Sequence, residues 1–460
     1  MQSLRLRLFM CGPLLLASAS SGAAQREAMQ TRPKLDFTPF TGERSPRRTE
    51  LIPVLAGEQV LVTTTLRLFA FDALTAELRW SVGPPQGWAE LEPAARDELF
   101  DGLDMRRLWI APATGERVAV AALQIPQSRS PREEWQGIHI STPLPERRLF
   151  ACELASGQEL WNHAPPADWD GAGGPFAQSM SLCASPTIIG SCVLVPCISD
   201  ASSVDYHVAS YELTRGALLW STFVVRGQIE RNSFGKAPFE FTGAPLVGVP
   251  GRGRVLVQTG LGLIAALDLA TGEVLWRTEY EPIELPNVRS YTPPRREVVW
   301  RTTPPIVVGD VVLATPPDSR ELLALDLEDG HVLWSVSVSV LNALHTRTNE
   351  LAFDHLIGVD GEMLYLGGAK VSALVKRRGL RSAETLEPLW TERVSRPETS
   401  GRACLAGDAL LLPGPVEWLT LDRETGKERN SREVSGTHGL LVTDEALYVL
   451  TEDGLKRIDR

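Results

Sequence analysis

The chain is poor in several things, and each shortage removes a class of function. It holds only 6 cysteines in 460 residues. One is Cys11; the others, Cys152, Cys183, Cys192, Cys197 and Cys404, are odd in number, so no complete disulfide framework holds this fold. Cys183, Cys192 and Cys197 lie close enough for one local bridge, with buried apolar thiols as the alternative. Basic blocks are missing too. Lys and Arg total 46 against 57 Asp and Glu, a formal charge of −11, and the charges are interspersed. Such a chain lacks the basic stripe that displaces counterions from nucleic acid. Beyond residue 24 no apolar run approaches the roughly 18 residues of a membrane helix.

Catalytic motifs are absent in the same way. There is no G-x-x-x-x-G-K-[ST], no H-E-x-x-H and no G-x-S-x-G. The 7 histidines, His139, His163, His207, His331, His345, His355 and His438, show no zinc-ligand spacing. Asp168-Trp169-Asp170-Gly171 begins like a calcium loop but lacks the later ligands, so it reads as an Asp-Gly turn. No catalytic residue and no metal ligand set can be assigned from motif.

What is present begins with a targeting pattern. Residues 1–24 have a basic start at Arg5 and Arg7, an apolar stretch from Leu8 to Ala17 and small residues from Ser20 to Ala24. This is the layout of a secretory signal peptide, with cleavage near Ala23 or Ala24. The apolar stretch is too short to span a bilayer, and Pro13 interrupts it. Met10 before Cys11 and the leucines after it do not fit a lipid-anchor signal. The expected product is exported, periplasmic or secreted, and soluble. Residues 25–49 read as a polar lead-in.

The dominant feature is a repeat. The chain has 12 Trp against 6 Tyr, and six of those Trp recur at one place in a motif. LIAALDLATGEVLW ends at Trp276 and LLALDLEDGHVLW at Trp334; related copies end at Trp80, Trp161, Trp220 and, more weakly, Trp390. An acid precedes the Trp by eight residues in the clear copies: Asp72, Glu153, Glu212, Asp268 and Asp326. Thr-Gly or a relative follows the acid, as at Thr271-Gly272 and Thr425-Gly426. Alternating apolar residues make the strand before the acid, and Gly supplies a left-handed turn. The acid and Thr can bond turn amides, and the Trp lands on the return strand. A second hairpin lies upstream of each copy, clearest at 305–313 around Gly309-Asp310. Each unit thus holds four short strands, one propeller blade. Acids or their equivalents at 72, 153, 212, 268, 326, 382, 422 and 459 count eight blades. Asn430 stands where the seventh Trp is expected. The last copy stops after its third strand, so residues around 35–45 are expected to supply the closing strand and remove an open edge. Residues 50–460 are then one all-β, eight-bladed domain.

The pattern A-x-D-x-x-T-G-x-x-x-W resembles the PQQ-like, or tryptophan-docking, repeat of eight-bladed propellers. The family resemblance implies the fold directly and two branches of function. One branch holds quinone-dependent alcohol and sugar dehydrogenases; the other holds non-enzymatic scaffolds of the outer-membrane barrel-assembly machinery. The alcohol dehydrogenase branch typically carries adjacent cysteines beneath the quinone, with carboxylates and Asn around calcium, and no two cysteines here are adjacent. The resemblance therefore leans toward the non-catalytic branch, without a cofactor. A quinone-dependent oxidoreductase using PQQ with calcium is the alternative, and a glycan-binding propeller the third reading.

Loop lengths indicate where a partner binds. First-to-second and third-to-fourth turns share one face of the disc and are expected to be short throughout. Insertions at 81–107, 124–147, 162–183, 221–243, 277–303 and 335–354 fall on the opposite face, where long loops carry function. Candidate binding residues there are Trp88, Trp109, Trp135, Trp169, Arg231, Tyr291, Arg295, Arg296, Trp300 and Arg347, aromatic and basic anchors for a protein or peptide of the cell envelope. Glu90 to Met105 reads as a short amphipathic helix. Candidate rim residues of a central channel open to a small molecule are those just before each inner strand: Thr242, Thr303, His355, Arg402 and His438.

Overall fold

The motif ending at Trp276 shows how one blade forms. Arg254–Gln258 and Leu263–Asp268 pair antiparallel, Leu256 opposite Ala266, and nearly every residue of both is buried. Burial of both faces is what a strand rich in Val, Leu, Ile and Ala meets when sheets cover it on either side. Val247–Val249 flanks the pair on one edge and Val274–Glu279 on the other, where burial turns to alternation. The turn between the third and fourth strands is held by Asp268, whose Oδ1 accepts the Ala270 and Thr271 amides at 2.9 and 2.8 Å. Gly272 completes it at φ +75°.

This computed structural model describes residues 51–459 apart from 84–110, 125–132, 141–146, 164–179, 228–242, 285–298, 344–352, 394–401 and gaps of one to three residues. The chain divides into two units, Met1–Leu35 and Asp36–Arg460, and every described residue lies in the second. The signal segment, the lead-in, the closing strand expected near 35–45 and the helix expected at 90–105 lie outside the described residues.

Eight antiparallel sheets follow one another along the chain, at 54–82, 113–163, 180–227, 247–279, 306–337, 355–393, 404–433 and 437–459. They make an eight-bladed β-propeller. Six sheets have four strands, the third has five because Met180–Leu182 joins it, and the eighth shows three, Thr437–Val442, Ala446–Thr451 and Gly454–Asp459. First strands of consecutive blades touch one another, which places them at the hub. Two insertions carry structure of their own. Glu133–Trp135 pairs with Ile138–Ile140 as a hairpin inside blade 2, and a short helix, Val338–Ala343, follows blade 5.

The docking tryptophans join the blades. Indole N–H groups of Trp80, Trp161, Trp220 and Trp276 donate to the carbonyls of Leu154, Leu213, Leu269 and Leu327 at 3.0–3.1 Å, each in the following blade. Trp390 does the same to Arg423 O at 3.0 Å. The ring of Trp220 lies flat on Gly272, where a Cβ would come within 2.4 Å of it. Gly157, Gly330 and Gly426 receive Trp80, Trp276 and Trp390 in the same way. Glycine is thus required twice at this position, for the left-handed turn and for the ring above it.

Two sequence expectations change, and one left open is decided. Blade 6 has no motif acid at 382: its third strand is Lys370–Val375 and its fourth begins at Glu387, so an eleven-residue turn replaces the tight one. The short-turn face therefore carries one long turn. Trp334 reaches Leu380 O there at 2.6 Å, and the buried Lys376 places its ammonium 4.2 Å over the Trp334 ring. Trp300 is not a surface anchor. It is wholly buried in the core between blades 5 and 6, with Val299, Phe353, Leu341 and Trp334. Between a local bridge and buried thiols, the second holds: no disulfide joins the five described cysteines, and Cys152, Cys183 and Cys197 are buried. Burial pushes the Cys152 thiol up to about 12.

Candidate functional site

Residues just before the first strands of blades 5, 6 and 7 converge at the hub on the long-loop side. Arg301–Thr303 lead into Ile306–Val308, Asp354 precedes His355–Asp360, and Arg402 precedes Cys404–Ala406. The Arg301 amide donates to Asp354 O at 2.7 Å, and its guanidinium Nε to Asp354 Oδ2 at 2.8 Å. His355 Nδ1 sits 2.6 Å from Asp354 Oδ1. Arg402 Nη2 donates to Thr302 O at 2.5 Å, across 100 residues of sequence. From blade 4, Gln258 Nε2 donates to Thr303 O at 3.1 Å, while the Thr303 and Thr315 hydroxyls meet at 3.1 Å. Four consecutive blades are joined by one polar network.

Electrostatics fix the protonation states. Burial disfavours the charge on Asp354, yet the His355 hydrogen bond and the Arg301 charge outweigh it and hold the carboxyl at about 2. Burial depresses His355 below its ordinary 6.5, against the pull of Asp354. At neutral pH the site is an aspartate that accepts from a neutral imidazole and from Arg301. Nε2 of His355 then carries a lone pair and is buried, and among the described residues neither it nor the buried Gln258 Oε1 has a hydrogen-bond partner.

Of the rim residues expected from sequence, Thr303, His355 and Arg402 are thus brought together. Thr242 lies outside the described residues. His438 lies in the first strand of blade 8, and only its backbone is described. Arg301, Asp354 and Gln258 were missed; the only signal for them was their register, one or two residues from a chosen position or at a strand end.

The second candidate is the long-loop face. Trp135 lies in the hairpin of blade 2, opposite Ile138. Trp88, Trp109, Trp169, Arg231, Tyr291, Arg295, Arg296 and Arg347 fall outside the described residues. Loop asymmetry stands in the described strands: links and second-to-third loops carry the long insertions, and tight turns close the other face except in blade 6.

Comparison with known proteins agrees with this architecture. Residues 204–385 match the family model described as outer membrane protein assembly factor BamB. Curated protein sequences give no match. Among solved structures, BamB from Moraxella catarrhalis is similar with 15% identity and a TM-score of 0.53, covering 92% of this chain and 96% of that one. The quinohemoprotein alcohol dehydrogenase ADHIIG from Pseudomonas putida HK5 is similar with 14% identity and a TM-score of 0.55, covering 90% of this chain and 70% of that one. A europium-containing methanol dehydrogenase gives 13% identity and a TM-score of 0.51, over 88% and 82%. The chain carries PQQ-like repeats built as an eight-bladed propeller.

Proposed function

We propose that this protein is an exported, non-catalytic propeller that binds protein or peptide partners of the cell envelope through its long-loop face. The observation that carries the reading is the loop asymmetry, on a scaffold that matches the family model of an assembly factor over residues 204–385. A rigid ring with long segments on one face is a platform: the blades fix geometry and the loops supply contacts. Export rests on the pattern in residues 1–24. It agrees with the absence, among the described residues, of any helix long and apolar enough to cross a membrane.

The quinone-dependent alternative meets a poor fit in the described residues. Among these residues no three Asp, Glu, His or Cys side chains come together as ligands for a calcium ion. Arg301 is already committed to Asp354, and Trp300 packs in the core rather than offering a flat wall to the hub.

The test is partner capture from an envelope extract by the full chain, comparing the wild type with Arg295→Ala/Arg296→Ala and with Trp135→Ala. Loss of a defined partner in these variants supports the reading; unchanged capture by all of them contradicts it. Reconstitution with quinone and calcium followed by a dye-linked dehydrogenase assay decides the alternative, since turnover of alcohols or sugars would replace the scaffold reading.

A further inference from the structure

An exposed strand edge offers its main chain to any other strand, and proteins normally blunt such edges with charge, proline or brevity. The outermost strands of this propeller show those devices. Leu78–Val82 and Glu159–His163 have five residues each and carry Arg79 and Glu159. Val274–Glu279 exposes Arg277 and Glu279. Val332–Ser337 runs directly into a helix. Glu387–Arg393 contains Pro388, and Glu428–Glu433 is polar throughout.

Blade 3 breaks the pattern. Its outermost strand, Leu218–Gly227, has ten residues, LLWSTFVVRG, with no proline and no acid. Its one cation, Arg226, is tied back by two bonds of 2.6 and 2.7 Å to Asp205 on the adjacent strand. Leu218, Leu219 and Phe223 are exposed at 48, 50 and 41%. Trp220 and Thr222 face blade 4, donating to Leu269 O and Gly272 O. Register shifts at Leu219 and Val224 put Leu218 and Phe223 on the opposite side, across from Tyr211 and His207 and about 13 Å apart at a strand's rise. Among the described residues, only Val204–Glu212 pairs with this strand, and no strand among them lies on its outer edge. The extra length lies toward the long-loop face, because the strand leaves a tight turn at Gly216 and runs away from it.

We propose that the outer edge of Leu218–Gly227 is a strand-addition site for an extended segment of another polypeptide, neutral or basic, with apolar residues at alternate positions. The edge dictates a strand, because an antiparallel ladder leaves about five of its ten residues with N–H and C=O pointing outward. Leu218 and Phe223, exposed on one side, select apolar side chains. The chain's charge of −11 sets the partner's sign and opposes pairing with a second copy. This inference rests on the scaffold reading and names the partner's conformation.

The experiment uses the full chain and a labelled twelve-residue peptide of alternating Val and Thr with Lys at both ends. Binding is read by fluorescence anisotropy and mapped by amide hydrogen exchange. The expected result is binding that slows exchange across 218–227. N-methylation of alternate peptide amides, which removes ladder bonds along one edge, should weaken it by about tenfold, and so should Phe223→Lys, at an exposed position. Equal binding of the methylated peptide, protection elsewhere or no binding would overturn strand addition, while envelope capture through the loops decides the scaffold reading separately. Protection of 218–227 without peptide, together with a doubled mass in sedimentation, would make the edge a self-association surface and overturn the partner assigned.

Discussion

The Tyr448 hydroxyl donates to the carbonyl of Ala73 at 2.8 Å, joining the last blade to the first across 375 positions of sequence. Ala73 follows the motif acid Asp72, as Leu154, Leu213, Leu269 and Leu327 follow theirs, and those four carbonyls take an indole N–H. Blade 8 has no docking Trp, so a tyrosine from its second strand serves the same acceptor. Tyr448→Phe should cost about 1 kcal/mol, the worth of one such bond. Chemical denaturation measures this, and limited proteolysis should show earlier cutting at the blade 1 and blade 8 junction.

Ala76 has the left-handed backbone, φ +58°, that glycine supplies in other blades. The described strands of blade 8 hold no Trp to stack on it, so a methyl group meets backbone strain without a ring above it. Ala76→Gly should therefore stabilise the protein by roughly 0.5–1 kcal/mol. Gly272→Ala should do the reverse and by more, because its Cβ would strike the Trp220 ring as well. Paired thermal melts of the two variants check the signs.

Trp276 is buried and hydrogen-bonded between blades 4 and 5. Trp276→Phe keeps much of the apolar area and loses the donor, for about 1–2 kcal/mol. Trp334→Ala removes a ring from the large core of blades 5 and 6 and should cost about 3–5 kcal/mol. Urea unfolding followed by tryptophan emission distinguishes the two magnitudes.

Asp354 gives a pH signature. Its folded pKa of about 2 lies below the ordinary 3.8, so its contribution to stability is complete above about pH 4 and lost as pH falls toward 2. Asp354→Asn should lower stability at neutral pH and flatten the acid limb between pH 4 and 2. A denaturant midpoint series over that range reads both effects.

Much of this architecture was legible because it repeats. Acid, Gly and Trp recur together since one turn and one ring-on-glycine contact are built again and again. Blade 6 escaped the spacing because its turn is longer, so counting back from Trp390 landed on Ser382 rather than on the strand end at Val375. Trp300 was misplaced for a related reason. It falls within an insertion by numbering, yet Val299 and Trp300 already belong to the core that the next blade seals. At the hub, position alone found Thr303, His355 and Arg402. The Arg301–Asp354 pair spans 53 residues and leaves no motif.

The most direct test of the scaffold reading places a photo-crosslinking residue at Trp135 or Arg347, both within the long insertions of the sequence, and, separately, at Leu74 or Asp329 in short turns. Leu74 is 72% exposed, so access does not limit the control. In an envelope extract, the account predicts one defined protein partner crosslinked from the long-loop positions and none from the short-turn positions. Equal crosslinking from both faces, or from the short-turn face alone, would contradict it.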